Sequence, residues 1–282
     1  MNRFLAILMI SLIGCSEANP SPNTVINEPL ANTDTATLLV PDDSVLQSPV
    51  STPILQQQEF LSCDCNAKTP EIPHRAEVGF SGYKFNLDSL NKWKSAEGLK
   101  VKTLLISKFD TIPEEFGIFK NVEFLILASI DWRMIQGLSV FPKLKGVEFR
   151  GKTIDLSDNP KWLAQIEVIH AQKSKIIGLK SFKSLPKLKE LRIAFSGFDV
   201  FPSDFESMKC LQYFQTGAHT HGEINLAAID LSNMPCLEFV EFQSWDKNMT
   251  GIPVGIDSVR KVKVHHGNLT EDEKLLLKKI PK

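Results

Sequence analysis

Residues 166–188 read IEVIHAQKSKIIGLKSFKSLPKL, and the spacing of their apolar side chains decides the fold. The stretch opens with the pattern apolar-x-x-apolar-x-apolar at Ile166, Ile169 and Ala171, and apolar residues then recur about every third position as far as Leu185. A repeat of about 22 residues that is sustained along the chain is typical of a solenoid, in which each unit buries its apolar edge only by stacking on its neighbours. The pattern returns at intervals of 21, 22, 22, 22, 23, 26 and 22 residues from eight starting residues: Val101, Val122, Leu144, Ile166, Leu188, Leu211, Leu237 and Val259.

Each repeat is predicted to contain a short strand followed by a tight helical turn. We number the positions of a repeat from its first apolar residue. Positions 4 and 6, such as Leu125 and Leu127, lie two residues apart and therefore point to the same, buried side of a strand. Apolar residues at every third position, as between Leu179 and Leu185, suit a short helix or a 3₁₀ turn on the opposite side. The turns need more width than the strands, so we expect a parallel sheet on the concave face, with positions 3, 5 and 7 directed away from the core.

The spacing resembles that of leucine-rich repeats over residues 101–282. The resemblance implies an α/β fold, a leucine-rich-repeat solenoid with a parallel sheet on the concave face and short helices or 3₁₀ turns on the convex face. The chain departs from the family at position 9, where the asparagine that normally satisfies backbone groups of the turn is absent. Only Ser174 and Ser196 can take its place, so we expect irregular turns within the same fold.

The N-terminus resembles the signal of a bacterial lipoprotein. Arg3 precedes an apolar run that is too short to remain as a membrane-spanning helix. Leu12-Ile13-Gly14-Cys15 then matches a lipobox, which implies a signal peptide over residues 1–14 and lipidation of Cys15. An ordinary secretory signal with a chance cysteine is the alternative. By resemblance to the Gram-negative sorting rule, Ser16 favours the outer membrane, so we expect a lipid-anchored protein of the bacterial cell envelope.

Residues 15–60 are predicted to form a flexible tether. The stretch is rich in Ser, Thr, Asn, Pro and Gln and has too few apolar residues to offset the chain entropy lost on folding. It contains no Lys or Arg, and its charged residues are all acidic: Glu17, Glu28, Asp34, Asp42, Asp43 and Glu59. Without Arg3 and these six acids, the 32 basic and 33 acidic residues of the chain fall to 31 and 27. That balance argues against a nucleic-acid ligand.

The remaining chain suffices for one domain, which we expect to be monomeric. Its predicted parts are an N-terminal cap over residues 61–100, repeats over 101–268 and a C-terminal capping helix over 269–282. A short helix is indicated near residues 86–94 by apolar residues at spacing three. Thr270 and Glu273 form the capping-box pattern that opens a helix.

Four cysteines remain besides Cys15. Cys210 and Cys236 each precede the start of a repeat, so on adjacent parallel strands their Cα atoms would lie roughly 5 Å apart, within the range that a disulfide needs. We therefore predict a Cys210–Cys236 disulfide in an oxidising compartment, with two free thiols as the alternative. Cys63 and Cys65 have no obvious partner and are assigned to the cap. The histidine pairs at 219/221 and 265/266 have no recognised metal-ligand spacing, so no metal site and no cofactor are predicted.

The outward positions of the strands form the candidate binding surface. Exposed aromatic residues and arginines in a concavity are typical of interface anchors. The alternative is that the segment from Cys63 to Lys84 folds back over Phe124 and Ile126, while the remaining positions form a solvated sheet with cross-strand ion pairs. The predicted ligand-binding residues are Phe124, Glu148, Arg150, His170, Glu190, Arg192, Tyr213, Phe239 and Glu241.

Three functions are consistent with these features to different degrees. The first is a lipid-anchored binding protein that recognises a protein, peptide or glycan through the concave face. The second is a structural scaffold of an outer-membrane or surface protein assembly. An enzyme is not expected, because no phosphate-binding loop, nucleophile elbow or metalloprotease motif is present and no catalytic residues can be named.

Overall fold

The computed structural model describes residues 63–82, 85–94, 96–129, 132–216, 223–244 and 249–280. The signal peptide, Cys15 and the tether to residue 60 therefore lie outside the described residues, as do His219 and His221. Within those ranges, no helix combines the length and the apolar character needed to cross a membrane.

Twelve strands follow one another along the described chain and pair in parallel. Nine of them form one continuous sheet in the order β1-β2-β3-β4-β5-β6-β8-β10-β12, while β7 pairs with β5 and β9 pairs with β11 in a separate two-stranded sheet. Ile169 pairs with Leu191 on the neighbouring strand, so successive repeats are stacked edge to edge. The strands are β1 Val78–Ser81, β2 Thr103–Ser107, β3 Phe124–Ala128, β4 Gly146–Asp155, β5 Val168–Ile177, β6 Glu190–Ala194, β7 Gly197–Phe198, β8 Tyr213–Gln215, β9 Ile224–Asn225, β10 Phe239–Gln243, β11 Met249–Thr250 and β12 Lys261–His265.

Short 3₁₀ helices lie between the strands, and together with the parallel sheet they confirm the predicted leucine-rich-repeat solenoid. One α-helix, α1, spans Glu271–Lys279 and begins with the predicted capping box, in which the Thr270 hydroxyl accepts from the Glu273 backbone. The 3₁₀ helices are Leu87–Trp93, Gly98–Lys100, Glu114–Ile118, Trp132–Val140, Lys161–Gln165, Phe182–Ser184, Phe205–Ser207, Leu226–Ala228 and Ile256–Ser258.

The core runs between the sheet and the 3₁₀ helices. Positions 4 and 6 of the strands are buried, as Leu104 and Ile106 illustrate with no exposed surface. Phenylalanines fill the space behind them, and the rings of Phe205 and Phe214 meet edge to face with centroids 4.7 Å apart. Such contacts stabilise neighbouring repeats beyond the area that they bury.

The turn after each strand replaces the missing asparagine with backbone geometry and serine hydroxyls. Position 8 adopts the left-handed conformation in each of the first five repeats, with φ between 49° and 77° at Lys108, Ser129, Gly151, Lys173 and Phe195. In the fourth and fifth repeats the predicted serines act as expected. The Ser196 hydroxyl donates to the Ala194 carbonyl at 2.8 Å and accepts from the Ser174 backbone N–H at 2.8 Å.

Alternating charges line the edge of the sheet at which the strands begin. Position 2 of successive repeats, here called the edge row, alternates in sign until Gln212 interrupts it. Glu123 lies between two lysines, with carboxylate–ammonium distances of 2.6 and 2.8 Å, and these hydrogen bonds lower its pKa to about 2. The edge row is Lys102, Glu123, Lys145, Glu167, Lys189, Gln212, Glu238 and Arg260.

Candidate binding surface

An N-terminal strap, residues 63–77, crosses the concave face of the sheet. Its side chains alternate between half-buried and exposed from Cys63 to Thr69. Residues 64–67 form a turn in which the Ala67 backbone N–H donates to the Asp64 carbonyl at 3.1 Å. The strap begins at two disulfides, Cys63–Cys210 and Cys65–Cys236, with Cα atoms 5.1 and 4.8 Å apart. It ends at Glu77, whose backbone N–H donates to the Thr103 carbonyl at 3.1 Å, and the chain then continues into β1.

The predicted Cys210–Cys236 disulfide is therefore wrong. The register argument placed these two cysteines on adjacent coils, and adjacent coils are close enough for a bridge. The strap supplies a cysteine to each of them, because Cys63 and Cys65 lie two residues apart at its start and meet neighbouring coils. Both bridges tie the strap to the repeats, and neither joins two repeats to each other.

Hydrogen bonds and close packing fix the strap between its two ends. The Gln212 side-chain amide donates to the Cys65 and Ala67 carbonyls at 3.1 and 2.9 Å, and its oxygen accepts from the Thr69 hydroxyl. Further along, Ile72 lies over Gly146. A Cβ atom at position 146 would lie 3.3 Å from Ile72 Cγ1 and 2.8 Å from Cδ1 of the adjacent Phe124 ring. The strap therefore approaches the sheet closely at Gly146, where the absence of a side chain leaves room.

The strap covers apolar residues that a bare sheet would expose. Ile126 and Val168 occupy outward positions and are 1% and 0% exposed, yet both lie outside the main hydrophobic core. Phe124 is half-buried on the same side. The structure thus follows the alternative reading for this part of the surface, and Phe124 is a packing residue beneath the strap.

A polar groove of about 330 Å³ remains open beside the strap. We call it the strap groove. One wall is formed by Ile72 and His74 of the strap, and the floor is formed by residues of four adjacent strands, all at outward positions except Ala171. The floor residues are Glu148, Arg150, His170, Ala171, Gln172, Arg192, Ala194 and Gln215.

Two buried carboxylates hold the arginines of the strap groove in place. Glu148 accepts from Arg150 Nε at 2.8 Å and from the Gln172 amide at 3.1 Å. The hydrogen bond from Arg150 to Glu148 raises the pKa of Arg150, so its guanidinium remains charged. Each carboxylate is buried below an arginine that stays accessible: side-chain exposure is 7% for Glu148 and 41% for Arg150.

Glu190 plays the same part for Arg192. Its carboxylate lies 2.5 Å from Arg192 Nε and 2.6 Å from His170 Nε2. Burial alone would raise the pKa of Glu190, but the hydrogen bond from His170 and the charge of Arg192 outweigh burial and hold that pKa below its ordinary value. Glu190 is therefore ionised at neutral pH and anchors the side chains of Arg192 and His170.

The aromatic residues of the surface form a closed stack beside the strap groove. The Tyr213 and Phe239 rings lie parallel, with centroids 4.3 Å apart and an interplanar angle of 9°. The Arg192 guanidinium lies 4.3 Å from the Tyr213 centroid, and the Lys263 ammonium lies 5.6 Å from that of Phe239. Both rings thus have a ring on one face and a cation on the other, an arrangement that stabilises both.

The structure places seven of the nine predicted binding residues in two groups of contacts, both of which reach the strap groove. The first group is Glu148 with Arg150. The second group is His170, Glu190, Arg192, Tyr213 and Phe239. Glu241 lies beyond them and accepts from the Gln215 amide at 3.2 Å. Outside both groups, Phe195 is 65% exposed directly after Ala194 of the groove floor.

The sequence argument gave the fold-back of residues 63–84 only as an alternative, and it missed the anchor residue Gln212. Three signals for the strap are present in the chain. Cys63, Cys65, Ala67 and Thr69 alternate with polar residues, Gly146 leaves an outward position without a side chain, and Gln212 breaks the alternation of the edge row. Among the residues that the structure describes, no group of three histidine, cysteine or acidic side chains is placed to hold a metal ion.

Comparison with known proteins adds one structural likeness. No family model and no curated protein matches the chain. The matching solved structures include a leucine-rich-repeat protein of Leptospira interrogans, which aligns over 69% of this chain at 14% sequence identity, with a TM-score of 0.38. The alignment covers 62% of that protein, so this chain spans less than two thirds of its length. The leucine-rich-repeat fold of this chain follows from its own stacked strands and 3₁₀ helices.

Proposed function

We propose that this protein is a lipid-anchored component of the bacterial cell envelope that binds a protein, peptide or glycan through the strap groove. The observation that carries the proposal is the convergence of accessible cations on one groove whose supporting carboxylates are buried. Polar side chains held rigid by buried partners are pre-organised, which lowers the entropy lost when a ligand binds. A rigid solenoid that carries such a pre-organised groove is suited to binding a ligand.

The anchoring half of the proposal rests on the lipobox and the tether. A diacylated Cys15 holds the protein at a membrane, because two acyl chains suffice for stable attachment. The test compares the wild-type protein with Cys15→Ser in detergent phase partitioning and in labelling with a radioactive fatty acid. The wild-type protein should partition with detergent and carry the label, and the variant should do neither. Equal partitioning and equal labelling of the two proteins would contradict the proposed lipid anchor.

The binding half is tested by photo-cross-linking in intact cells. A photo-cross-linking amino acid in place of the exposed Gln172 probes the strap groove, and the same amino acid in place of Val254 provides a control. Val254 is 54% exposed and follows β11, away from the groove. Irradiation should give an adduct of discrete size from the groove position only. Adducts at both positions, or at neither, would contradict binding through the strap groove.

A further inference from the structure

We infer that the strap groove recognises an extended acidic peptide, whose carboxylates are bound by Arg150 and Arg192. The inference rests on the proposed binding function and specifies the chemistry of its ligand. It follows from which charges a ligand can reach, from which ring faces are free, and from the spacing of the two arginines.

The charges within reach of a ligand are cations. Arg150 and Arg192 have 41% and 44% of their side-chain surface exposed, whereas their carboxylate partners Glu148 and Glu190 have 7% and 12%. The shortest contact of each arginine to its carboxylate is made by Nε, and the guanidinium also carries a fork of terminal N–H groups. That fork matches the geometry of a carboxylate. His74 adds a further nitrogen donor from the strap wall.

The aromatic rings argue against a glycan. Proteins bind sugar rings by stacking them on a free aromatic face, and neither face of Tyr213 or Phe239 is free. Each ring is sandwiched between the other ring and a cation. A peptide needs no such platform, because its carboxylates and its backbone can be held by side-chain donors. The glutamines at 172 and 215 provide neutral donors and acceptors for that backbone.

The spacing of the arginines sets the spacing of the acids. Arg150 lies on β4 and Arg192 on β6, with β5 between them. Arg150 is in register with Ala194, so the two arginines are separated by two strand spacings across the sheet and by two residues along it, a diagonal of roughly 12 Å. An extended peptide advances about 3.3 Å per residue and directs every second side chain to the same face. The two carboxylates should therefore lie at i and i+4 in a peptide that runs obliquely across the strands.

The test uses fluorescence anisotropy with full-length protein in detergent and a labelled peptide of eight glutamates. A peptide of eight glutamines serves as the neutral control. We expect binding of the glutamate peptide that weakens as salt is raised from 50 to 200 mM, and little binding of the glutamine peptide. Arg150→Gln and Arg192→Gln should each weaken binding about tenfold, since each removes a charge-assisted pair. Lys183→Gln, an exposed cation on a 3₁₀ helix, should leave it unchanged.

A gain of binding guards against variants that merely misfold. Gln172 is exposed and lies in register between Arg150 and Ala194. Gln172→Lys adds a third cation to the groove floor without removing a buried partner of any cation, so it should tighten binding of the glutamate peptide several-fold. A second peptide, with two glutamates at i and i+4 in a Gly-Ser chain, should bind more tightly than an isomer with the glutamates adjacent.

The outcomes separate the ligand class from the binding function. Failure of the glutamate peptide to bind, or equal binding by the Lys183, Arg150 and Arg192 variants, would overturn the acidic-peptide inference. So would tighter binding of an oligogalacturonate, which carries carboxylates on sugar rings. If photo-cross-linking from Gln172 still captured a discrete partner, the proposed function would stand without this ligand. If both experiments failed, both proposals would fall.

Discussion

Removing the two disulfides singly and together should reveal how the strap is tied. The Cys63–Cys210 bridge alone closes a loop of 147 residues, for which chain entropy contributes about 5 kcal/mol to the free energy of unfolding. Cys63 and Cys65 are two residues apart and Cys210 and Cys236 are 26 apart, so the second bridge closes a ring of only about 28 residues. By the same relation, closing that ring contributes about 3.5 kcal/mol to the free energy of unfolding.

The two bridges should therefore be strongly non-additive. Replacing either pair of cysteines by serine leaves the other bridge to close the long loop, so each double variant should lose about 3.5 kcal/mol. The quadruple variant should lose about 8.5 kcal/mol, which exceeds the sum of the two double variants. These values are upper bounds, because native strain and residual structure in the unfolded chain reduce such gains.

The assay is urea denaturation of the full-length chain in detergent, followed by fluorescence, for the wild type and the three variants. Connectivity is checked by mass spectrometry after cleavage at Asp64, which separates Cys63 from Cys65. Peptides that link 63 to 210 and 65 to 236 are expected. A peptide that links 210 to 236, or a quadruple variant no less stable than the double variants, would refute the reasoning.

Three further predictions concern packing, charge and capping. Gly146→Ala should lower the free energy of unfolding by about 1 kcal/mol and speed amide hydrogen exchange in the strap, because overpacking outweighs the entropic gain. Gly117→Ala is the control, since the space around its Cβ position is open, and it should be neutral. Glu123→Gln should cost about 1 kcal/mol at pH 7 for its two partly exposed ion pairs. Because the pKa of Glu123 is lowered from 4.5 to about 2, its contribution is complete above about pH 4.5, and the difference from wild type in urea titrations should shrink as pH falls toward 2. Thr270→Ala should cost about 1 kcal/mol and lower the helical signal of α1, and an unchanged far-UV spectrum and midpoint would contradict the capping role.

The repeat and its register could be predicted because they rest on local periodicity. Every strand from β2 to β6 begins at position 3 of its repeat, and Ile169 meets Leu191 as the spacing requires. Stacking is a nearest-neighbour property, so a pattern of about 22 residues contains the information. The serine substitutes at position 9 follow from the same alignment of repeats.

The sequence offered the strap only as an alternative, and its attachment could not be predicted because that attachment depends on contacts between distant parts of the chain. Cys63 meets Cys210 across 147 residues, and no periodic pattern relates them. The two repeat cysteines satisfied the distance for a bridge, so geometry alone chose the wrong partners. The exposure of the predicted aromatic residues could not be read from local periodicity either. Outward direction in a strand does not fix exposure, and Tyr213 is half-buried by Arg192 and Phe239.

The alternating charges of the edge row restrict how many repeats the protein can lose or gain. Because Lys102, Glu123, Lys145 and Glu167 alternate in sign, excision of the single coil that carries Lys145 would place two glutamates side by side. Like charges on adjacent strands are destabilising. Excision of that coil together with the next one would restore an acid beside a base, Glu123 against Lys189. This part of the molecule should therefore tolerate the loss or duplication of an even number of coils better than that of an odd number, because only an even number keeps opposite charges adjacent.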